Sequence, residues 1–225
     1  MRLNVFCDFD GTITLRDTTD AALEEFASPD YREWERLWED GRITGRECME
    51  RQTRLIDARA ETLRSLGNQI PIDDGIFDLE NECVRNGSLL VIVSDGIDLL
   101  MEEVLSSRGL KHLPHYANRL GWDENQGPFL TFPYGDLHCR GGCGVCKCRL
   151  LEQARFGSAP TVYIGDGLSD TCVVHRADRV FAKSRLRDYC LKSGIVHESF
   201  ETLAEVAFSL FREALVPDPL FRNGR

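Results

Sequence analysis

The chain begins with a short apolar strand that ends in two aspartates, and this feature constrains the rest of the sequence most. Residues 3–7 (LNVFC) are typical of a buried strand, and residues 8–12 (DFDGT) follow it directly. Because alternate side chains of an extended chain share a face, Asp8 and Asp10 can point to one place. Two carboxylates so near each other repel unless a cation or a proton lies between them. The pattern therefore predicts a hard divalent metal and one carboxyl group whose proton can be used in catalysis. Gly11 allows the backbone to approach an anion and present its N–H group.

The composition is that of an ordinary globular chain with an acidic balance. Hydrophobic residues make up 42% and charged residues 28% of the 225 positions, which argues against disorder and allows one domain or one domain with a large insert. A net charge of -10 disfavours nucleic acids and anionic membranes as partners. No apolar run approaches the roughly 18 residues of a membrane span. Because the first strand leaves no room for a signal peptide, we expect a cytoplasmic protein.

The α/β pattern breaks after the first strand and resumes near residue 71. Between these points the hydrophobic periodicity predicts helices only, and Asp17, with Asp20 three residues on, can cap the first of them. One aromatic stripe here is typical of a core face: Tyr31, Trp34, Leu37 and Trp38. We therefore predict an α/β core over residues 1–15 and 71–225 and a helical cap over residues 16–70.

Three further apolar runs are typical of strands in a parallel sheet: residues 89–93, 161–164 and 180–182. Helical patterns cover residues 76–85, the stretch after residue 97, the stretch through Leu150, and residues 203–215. Residues 116–137 read as short strands joined by turns, and the tail 217–225 reads as loosely held. The alternation of strands and helices predicts an α/β fold.

Polar side chains follow three of the predicted strands at their carboxyl ends: Asp8 with Asp10, then Ser94, then Asp166 with Asp170. In open parallel sheets this edge is where ligands bind. Lys147 lies at the start of a helix and can offer a point charge to an anion. Carboxylates, a hydroxyl, an ammonium and glycine amides together suit a metal-bound phosphate.

In this order, these residues resemble the four motifs of the haloacid dehalogenase superfamily, in its phosphatase branch with a helical cap inserted after the first strand. The motifs are residues 8–12, Ser94, Lys147, and Gly165-Asp166 with Asp170. The resemblance covers most of the chain, and the set of four is far more specific than any one motif. It implies a three-layer Rossmann-like core with a parallel sheet, and an enzyme that hydrolyses phosphomonoesters.

The resemblance also implies a role for each motif residue. Asp8 would be the nucleophile that forms an aspartyl-phosphate, and Asp10 would protonate the leaving alcohol and then activate water. Mg²⁺ would be held by the Asp8 carboxylate, the Asp10 backbone carbonyl and Asp166. Asp170 would brace these ligands rather than bind directly. The phosphoryl group and the substrate would meet the remaining candidates: Gly11, Thr12, Asp17, Ser94, Asp95, Gly96 and Lys147.

Short stretches bear on the substrate. Phosphoserine phosphatases share the layout, but they carry a glutamate where this chain has Asp17 and a cap arginine where a gapless match gives Gln52, beside Arg51. Residues 94–98 (SDGID) and 143–147 (CGVCK) instead resemble the methionine-salvage relatives, which are 2-hydroxy-3-keto-5-methylthiopentenyl-1-phosphate phosphatases. We expect a small phosphorylated metabolite of that kind, with phosphoserine or phosphocholine/phosphoethanolamine as alternatives. Transfer to an alcohol in place of water is a further alternative.

Four of the nine cysteines cluster around Lys147: Cys139, Cys143, Cys146 and Cys148. They offer enough sulfur ligands for tetrahedral zinc, but their C-x3-C-x2-C-x-C spacing is irregular, so thiols are favoured over structural zinc. The cluster supports a hypothesis of another class, a redox- or metal-responsive regulatory protein on a phosphatase scaffold. The intact Asp8 and Asp10 argue against it, because a retired enzyme need not keep both.

Overall fold

The computed structural model describes residues 2–125, 127–139, 141–155 and 159–211. Its strands are β1 (Asn4–Asp8), β2 (Leu89–Ile97), β3 (His115–Asp123), β4 (Gly127–Thr131), β5 (Thr161–Gly165), β6 (Arg179–Ala182) and β7 (Glu198–Ser199). They form one sheet in the order β4-β3-β2-β1-β5-β6-β7. Neighbouring strands are parallel except β3 and β4, which pair antiparallel. Strand β1, which ends at Asp8 and leads into the turn that carries Asp10, therefore lies at the centre.

Helices fill the chain between these strands. They are α1 (Thr18–Phe26), α2 (Tyr31–Glu39), α3 (Gly45–Thr53), α4 (Ala60–Gln69), α5 (Gly75–Arg85), α6 (Asp98–Ser107), α7 (Lys147–Arg155), α8 (Ser184–Ser193) and α9 (Leu203–Phe211). Helices α1 to α4 occupy the stretch predicted as a cap, while the domain boundaries themselves stay a prediction. Among the residues described, no helix is both long and apolar enough to cross a membrane.

The sheet is covered on both faces, because successive side chains of a strand point to opposite sides. In β1, Val5 and Cys7 belong to a large apolar cluster shared with α4, α5, α6 and α9. Phe6 belongs instead to a second cluster, which contains Leu151 of α7 and Leu186 of α8. The predicted α/β fold, a three-layer Rossmann-like core with a mostly parallel sheet, is confirmed.

Several predicted elements differ in extent from those observed. Strand β2 continues past residue 93 to Ile97, with a register shift against β3, so the segment expected to follow the strand lies inside it. Residues 116–137 contain one hairpin of β3 and β4 rather than several short strands. The short strand β7 carries no apolar run that could predict it. The predicted helix end at 212–215 and the tail 217–225 lie outside the described residues.

The aromatic stripe of α2 is only in part a core face. Tyr31 is buried, as predicted. Trp34, Leu37 and Trp38 are half-buried, so the prediction is wrong for these three. Trp38 lines the cleft described below, and its ring is therefore partly exposed. Helical periodicity alone does not distinguish such a position from a core position.

Candidate active site

The carboxyl ends of β1, β2 and β5 border a cleft of about 370 Å³. Its other wall comes from α1, α2 and α3. Most of the predicted site residues line this cleft: Asp8, Asp10, Gly11, Asp17, Ser94, Asp95, Gly96 and Asp166. Thr12, Lys147 and Asp170 are buried beside it. The topology thus brings together residues that are up to about 160 positions apart in the chain, as the parallel-sheet argument predicts.

A buried ion cluster joins β1 to the first residue of α7. The Lys147 ammonium, only 2% exposed, donates to Asp8 Oδ1 at 2.5 Å and to Asp170 Oδ1 at 2.6 Å. The Tyr163 hydroxyl donates to the same Asp170 oxygen at 2.5 Å. Two buried carboxylates therefore share one ammonium, and the cluster carries a formal negative charge. Sequence reasoning found Lys147 but missed Tyr163, which reads as an ordinary apolar position of strand β5.

Burial and charge act in opposite directions within this cluster. Burial, followed by the neighbouring Asp170 carboxylate, raises the pKa of Asp8 even though Lys147 acts to lower it. For Lys147, burial alone would lower the pKa, but the Asp170 and Asp8 carboxylates outweigh it and hold the pKa above its ordinary value. Lys147 is therefore a fixed positive charge beside Asp8 at neutral pH.

Three carboxylates form a group that fits a divalent metal. Asp8, Asp166 and Asp170 each offer one oxygen, and these atoms lie within 4.8 Å of one another. Across the described ranges, no other group of His, Cys, Asp or Glu side chains has this geometry. Burial, and after it the Asp170 carboxylate, raises the pKa of Asp166 to about 6, a repulsion that a bound cation would relieve. Hard oxygen donors of this kind suit a cation such as Mg²⁺ or Ca²⁺.

The residues around this acidic group hold it in place. Thr12 Oγ1 donates to Asp166 Oδ1 at 3.0 Å. Gly11 has a positive φ of 74°, and a Cβ at this position would lie 2.5 Å from Asp166 Oδ2, so no larger residue fits the turn. Asp170 Oδ2 accepts hydrogen bonds from the N–H groups of Asp166 and Gly167, at 3.3 and 3.2 Å. With Lys147 and Tyr163 on its other oxygen, Asp170 fits the expected bracing role.

The Asp10 carboxylate has a separate set of partners. Its Oδ1 accepts from the Thr18 N–H group at 2.8 Å and from the Thr18 hydroxyl at 2.7 Å. Its Oδ2 accepts from the Ser94 hydroxyl at 2.8 Å, and Ser94 Oγ in turn accepts from the Gly96 N–H group at 2.7 Å. Ser94, expected to bind the phosphoryl group, here orients Asp10. The sequence does not predict the contact of Thr18 with Asp10, because a threonine at the start of a helix is common and points to no distant partner.

Two further predicted substrate residues also have structural partners. Asp17 caps α1, accepting from the N–H groups of Thr19 and Asp20 at 2.8 and 2.9 Å. Burial, followed by the Asp10 carboxylate, raises the pKa of Asp17. Asp95 Oδ1 accepts from the Val145 N–H group at 2.6 Å, which fastens the loop that precedes Lys147. Burial raises the pKa of Asp95 to about 6.

The cysteines around Lys147 form a chain of sulfur contacts. The Cys139 and Cys143 sulfurs are 4.0 Å apart, and hydrogen bonds from Cys143 and Cys148 lower the pKa of Cys172. Cys146 also contacts Cys139. All nine cysteines are free thiols, and Cys172, 24 positions further along the chain than Cys148, could not be assigned to the cluster from spacing. A zinc or redox role of the cluster stays a hypothesis.

Comparison with known proteins places the chain in a family. A family model described as "Putative Phosphatase" matches residues 3–209. The chain belongs to this phosphatase family. A 2-hydroxy-3-keto-5-methylthiopentenyl-1-phosphate phosphatase of Brevibacillus brevis is 31% identical over 211 residues, covering 91% of this chain and 93% of the relative. Its counterpart from Geobacillus kaustophilus is 32% identical over 222 residues, covering 96% and 98%.

The fold comparison agrees with this family. A phosphoserine phosphatase captured as a phospho-aspartyl intermediate analogue aligns with a TM-score of 0.68 at 18% identity, covering 93% of this chain and 98% of that one. The expected membership of the haloacid dehalogenase superfamily, in its phosphatase branch, is confirmed. The chain is therefore a phosphatase with the fold of that superfamily.

Proposed function

We propose that this phosphatase is a Mg²⁺-dependent phosphomonoester hydrolase that acts through an aspartyl-phosphate on Asp8. One observation carries the proposal: Asp8 lines the cleft, is ion-paired with Lys147, and shares an acidic group with Asp166 and Asp170. A carboxylate nucleophile beside a fixed ammonium and a divalent-cation site suits attack on a phosphoryl group, because positive charge must offset the charge on the phosphoryl oxygens.

In this mechanism the chain's own residues carry both half-reactions. An Asp8 oxygen attacks phosphorus while the ester P–O bond breaks, and protonated Asp10 gives its proton to the leaving alcohol. Asp10 then takes a proton from water as the water oxygen attacks phosphorus, which releases inorganic phosphate and free Asp8. Lys147 holds its positive charge beside the reacting oxygens throughout. Mg²⁺, held by Asp8, Asp166 and the Asp10 backbone carbonyl, would supply charge neutralisation of the phosphoryl group.

The proposed substrate is 2-hydroxy-3-keto-5-methylthiopentenyl-1-phosphate, the compound in the names of the relatives. The cap side of the cleft supports this assignment, because Leu15, Trp38 and Met49 give it an apolar lining. A methylthio tail is apolar and polarizable, and such groups pack well against aromatic rings and methionine. The phosphate end would lie at Asp8 and the tail between α2 and α3.

Phosphoserine is disfavoured because its carboxylate finds no free cation in the part of the cleft that the structure describes. Arg51 stacks over the Trp34 ring at 4.4 Å, and the Gln52 amide donates to the Tyr31 carbonyl at 3.2 Å. The two cleft arginines are paired with glutamates, Arg16 with Glu24 and Arg185 with Glu39.

Phosphocholine or phosphoethanolamine is a second candidate, on a specific observation. Asp17, Asp20 and Glu35 line the cap side of the cleft, and a cationic headgroup would be attracted to them and to the Trp38 ring. Desolvation, followed by the Glu35 carboxylate, raises the pKa of Asp20 to about 6 and outweighs the lowering effect of Arg16, so negative charge dominates this side of the cleft.

The test is phosphate release from a panel of phosphomonoesters, in Mg²⁺ and in EDTA. The panel comprises the methylthiopentenyl phosphate, phosphocholine, phosphoethanolamine and phosphoserine. We expect turnover in Mg²⁺ only, with the highest kcat/KM for the methylthiopentenyl phosphate. A higher value for phosphocholine would support the second candidate, and equal turnover in EDTA would contradict the metal dependence. We also propose a cytoplasmic location, because all nine cysteines are free thiols, as is usual in a reducing compartment. The acidic composition disfavours a nucleic-acid partner.

A further inference from the structure

The cleft contains a buried hydroxyl group with no partner, on Thr19 of α1. Thr19 is 7% exposed, lines the cleft, and has no hydrogen-bond partner for its Oγ1 atom among the residues described. Its neighbour Thr18, which is also buried, donates its hydroxyl hydrogen to Asp10. A buried hydroxyl without a partner destabilises the fold, so it is expected to be kept only where something else satisfies it.

The position of this hydroxyl relates it to the proposed acid. Gly96 faces it across the cleft, and a Cβ on Gly96 would lie 3.1 Å from Thr19 Oγ1, 2.5 Å from Asp10 Oδ2 and 2.9 Å from Ser94 Oγ. Three oxygens therefore crowd around the Gly96 α-carbon, so a side chain at residue 96 would collide with them, and Thr19 Oγ1 and Asp10 Oδ2 lie near one another. All four residues line the cleft. A substrate oxygen that reaches this part of the cleft wall would be close to both the leaving-group acid and the Thr19 hydroxyl.

We propose that Thr19 is a substrate-binding residue whose hydroxyl hydrogen-bonds an oxygen substituent on the carbon next to the phosphorylated carbon. The inference rests on the proposed function, in which Asp10 protonates the ester oxygen. The neighbouring carbon is the one whose substituent can reach the space between Asp10 and Thr19 while the ester oxygen stays at Asp10.

The chemistry of the hydroxyl favours oxygen over nitrogen at that position. A threonine hydroxyl has one hydrogen to donate and two lone pairs to accept. A substrate hydroxyl or carbonyl oxygen can accept the Thr19 hydrogen, whereas an ammonium group can only donate and would leave that hydrogen buried and unpaired. The substrate class that this predicts is a phosphate ester of a 1,2-diol or of an α-hydroxy- or α-ketoalcohol.

Three substrates with one carbon skeleton test the inference: 2-hydroxyethyl phosphate, 2-aminoethyl phosphate and ethyl phosphate. In the wild type we expect kcat/KM for the hydroxyethyl ester to exceed that for the ethyl ester by about fivefold, the value of one neutral hydrogen bond of roughly 1 kcal/mol. In Thr19→Val this ratio should fall to about one, and in Thr19→Ser it should persist. The ratio of aminoethyl to ethyl ester should change less than the hydroxyethyl ratio between wild type and Thr19→Val, because an ammonium group can use only the Thr19 lone pairs and cannot accept its hydrogen.

A matched control separates substrate binding from structure. Thr53 is also buried on a cap helix, but its hydroxyl donates to the Met49 carbonyl at 2.7 Å. Thr53→Val should lower Tm and leave the hydroxyethyl-to-ethyl ratio unchanged, whereas Thr19→Val should not lower Tm, because it removes an unpaired hydroxyl.

Equal kcat/KM for the hydroxyethyl and ethyl esters in the wild type would overturn the inference, and so would a preference that survives in Thr19→Val. A change in the aminoethyl ratio as large as that in the hydroxyethyl ratio would also overturn it. Because the ratio is internal to each enzyme, it is independent of a general loss of activity in the variant. Absence of Mg²⁺-dependent release from all three esters and from p-nitrophenyl phosphate would instead refute the proposed function, so the two failures are distinguishable.

Discussion

Lys147→Met is the substitution whose consequence follows most directly from the buried cluster. Methionine keeps the length of the side chain and removes its charge. Asp8 and Asp170, 4% and 0% exposed, then lose the ammonium that both contact. Removing one partner from a buried ion pair costs about 3–5 kcal/mol, because it leaves uncompensated buried charge. For a chain of this length, that loss lowers Tm by roughly 10 °C.

A matched control is provided by an exposed ion pair on the same layer of the fold. Arg176 and Glu152 are 2.5 Å apart, but their side chains are 55% and 45% exposed. Exposed pairs contribute about 0.2–1 kcal/mol, so Arg176→Met should change the free energy of unfolding far less than Lys147→Met does. Chemical denaturation of both variants and the wild type, with a common m-value, measures the difference.

The pH dependence provides a second readout. The pKa of Asp8 is already raised in the folded state, so the folded chain binds more protons than the unfolded chain as pH rises from about 4, and stability falls over that range. Without Lys147, burial and the Asp170 carboxylate raise the pKa of Asp8 unopposed. The loss in free energy of unfolding caused by Lys147→Met should therefore be small at low pH and grow toward neutral pH. A loss at pH 7 no larger than that of Arg176→Met, or a deficit independent of pH, would refute the account of the cluster.

Two further predictions concern the acid and the loop before Lys147. Asp10→Asn should reduce kcat/KM on alkyl phosphates by about 10²–10⁴-fold and on p-nitrophenyl phosphate much less, because p-nitrophenolate leaves without a proton; equal losses on both substrates would count against the acid role. For Asp95, burial raises the folded-state pKa to about 6, so the wild type loses stability as pH rises from about 4 through 6. Asp95→Asn does not titrate, and its stability relative to the wild type should increase over that window in urea denaturation; a constant difference between pH 4 and 7 would contradict the burial argument.

Much of the site could be predicted because it depends on patterns that are local in sequence. Apolar runs fix the central strands, and the carboxyl ends of parallel strands must meet at one edge. This reasoning predicts that Asp8, Ser94 and Asp166 lie near one another, as they do in the cleft. Lys147 was predicted as a site residue because it begins a helix and completes a four-motif resemblance. Its contact with Asp8, however, depends on the tertiary structure.

What could not be predicted depends on which side chains meet across the fold. The Thr18 hydroxyl donates to Asp10, and the Tyr163 hydroxyl donates to Asp170. In the sequence, however, both residues look like ordinary members of a helix and a strand, and nothing marks them as site residues. Trp38 has the helical spacing of a core residue, and periodicity cannot tell a core face from a cleft wall. Cys172 joins the thiols near Lys147 only because β5 and α7 pack together.

The most direct test of the central claim is identification of the phosphorylated residue during turnover. Wild-type enzyme in Mg²⁺ is quenched with acid in the presence of substrate and reduced with borohydride, which converts an aspartyl-phosphate to homoserine, and the digest is read by mass spectrometry. The account predicts homoserine at position 8, no such conversion in Asp8→Asn, and no turnover by that variant in spite of an intact fold. Conversion at another residue, or substantial phosphate release by folded Asp8→Asn, would contradict it.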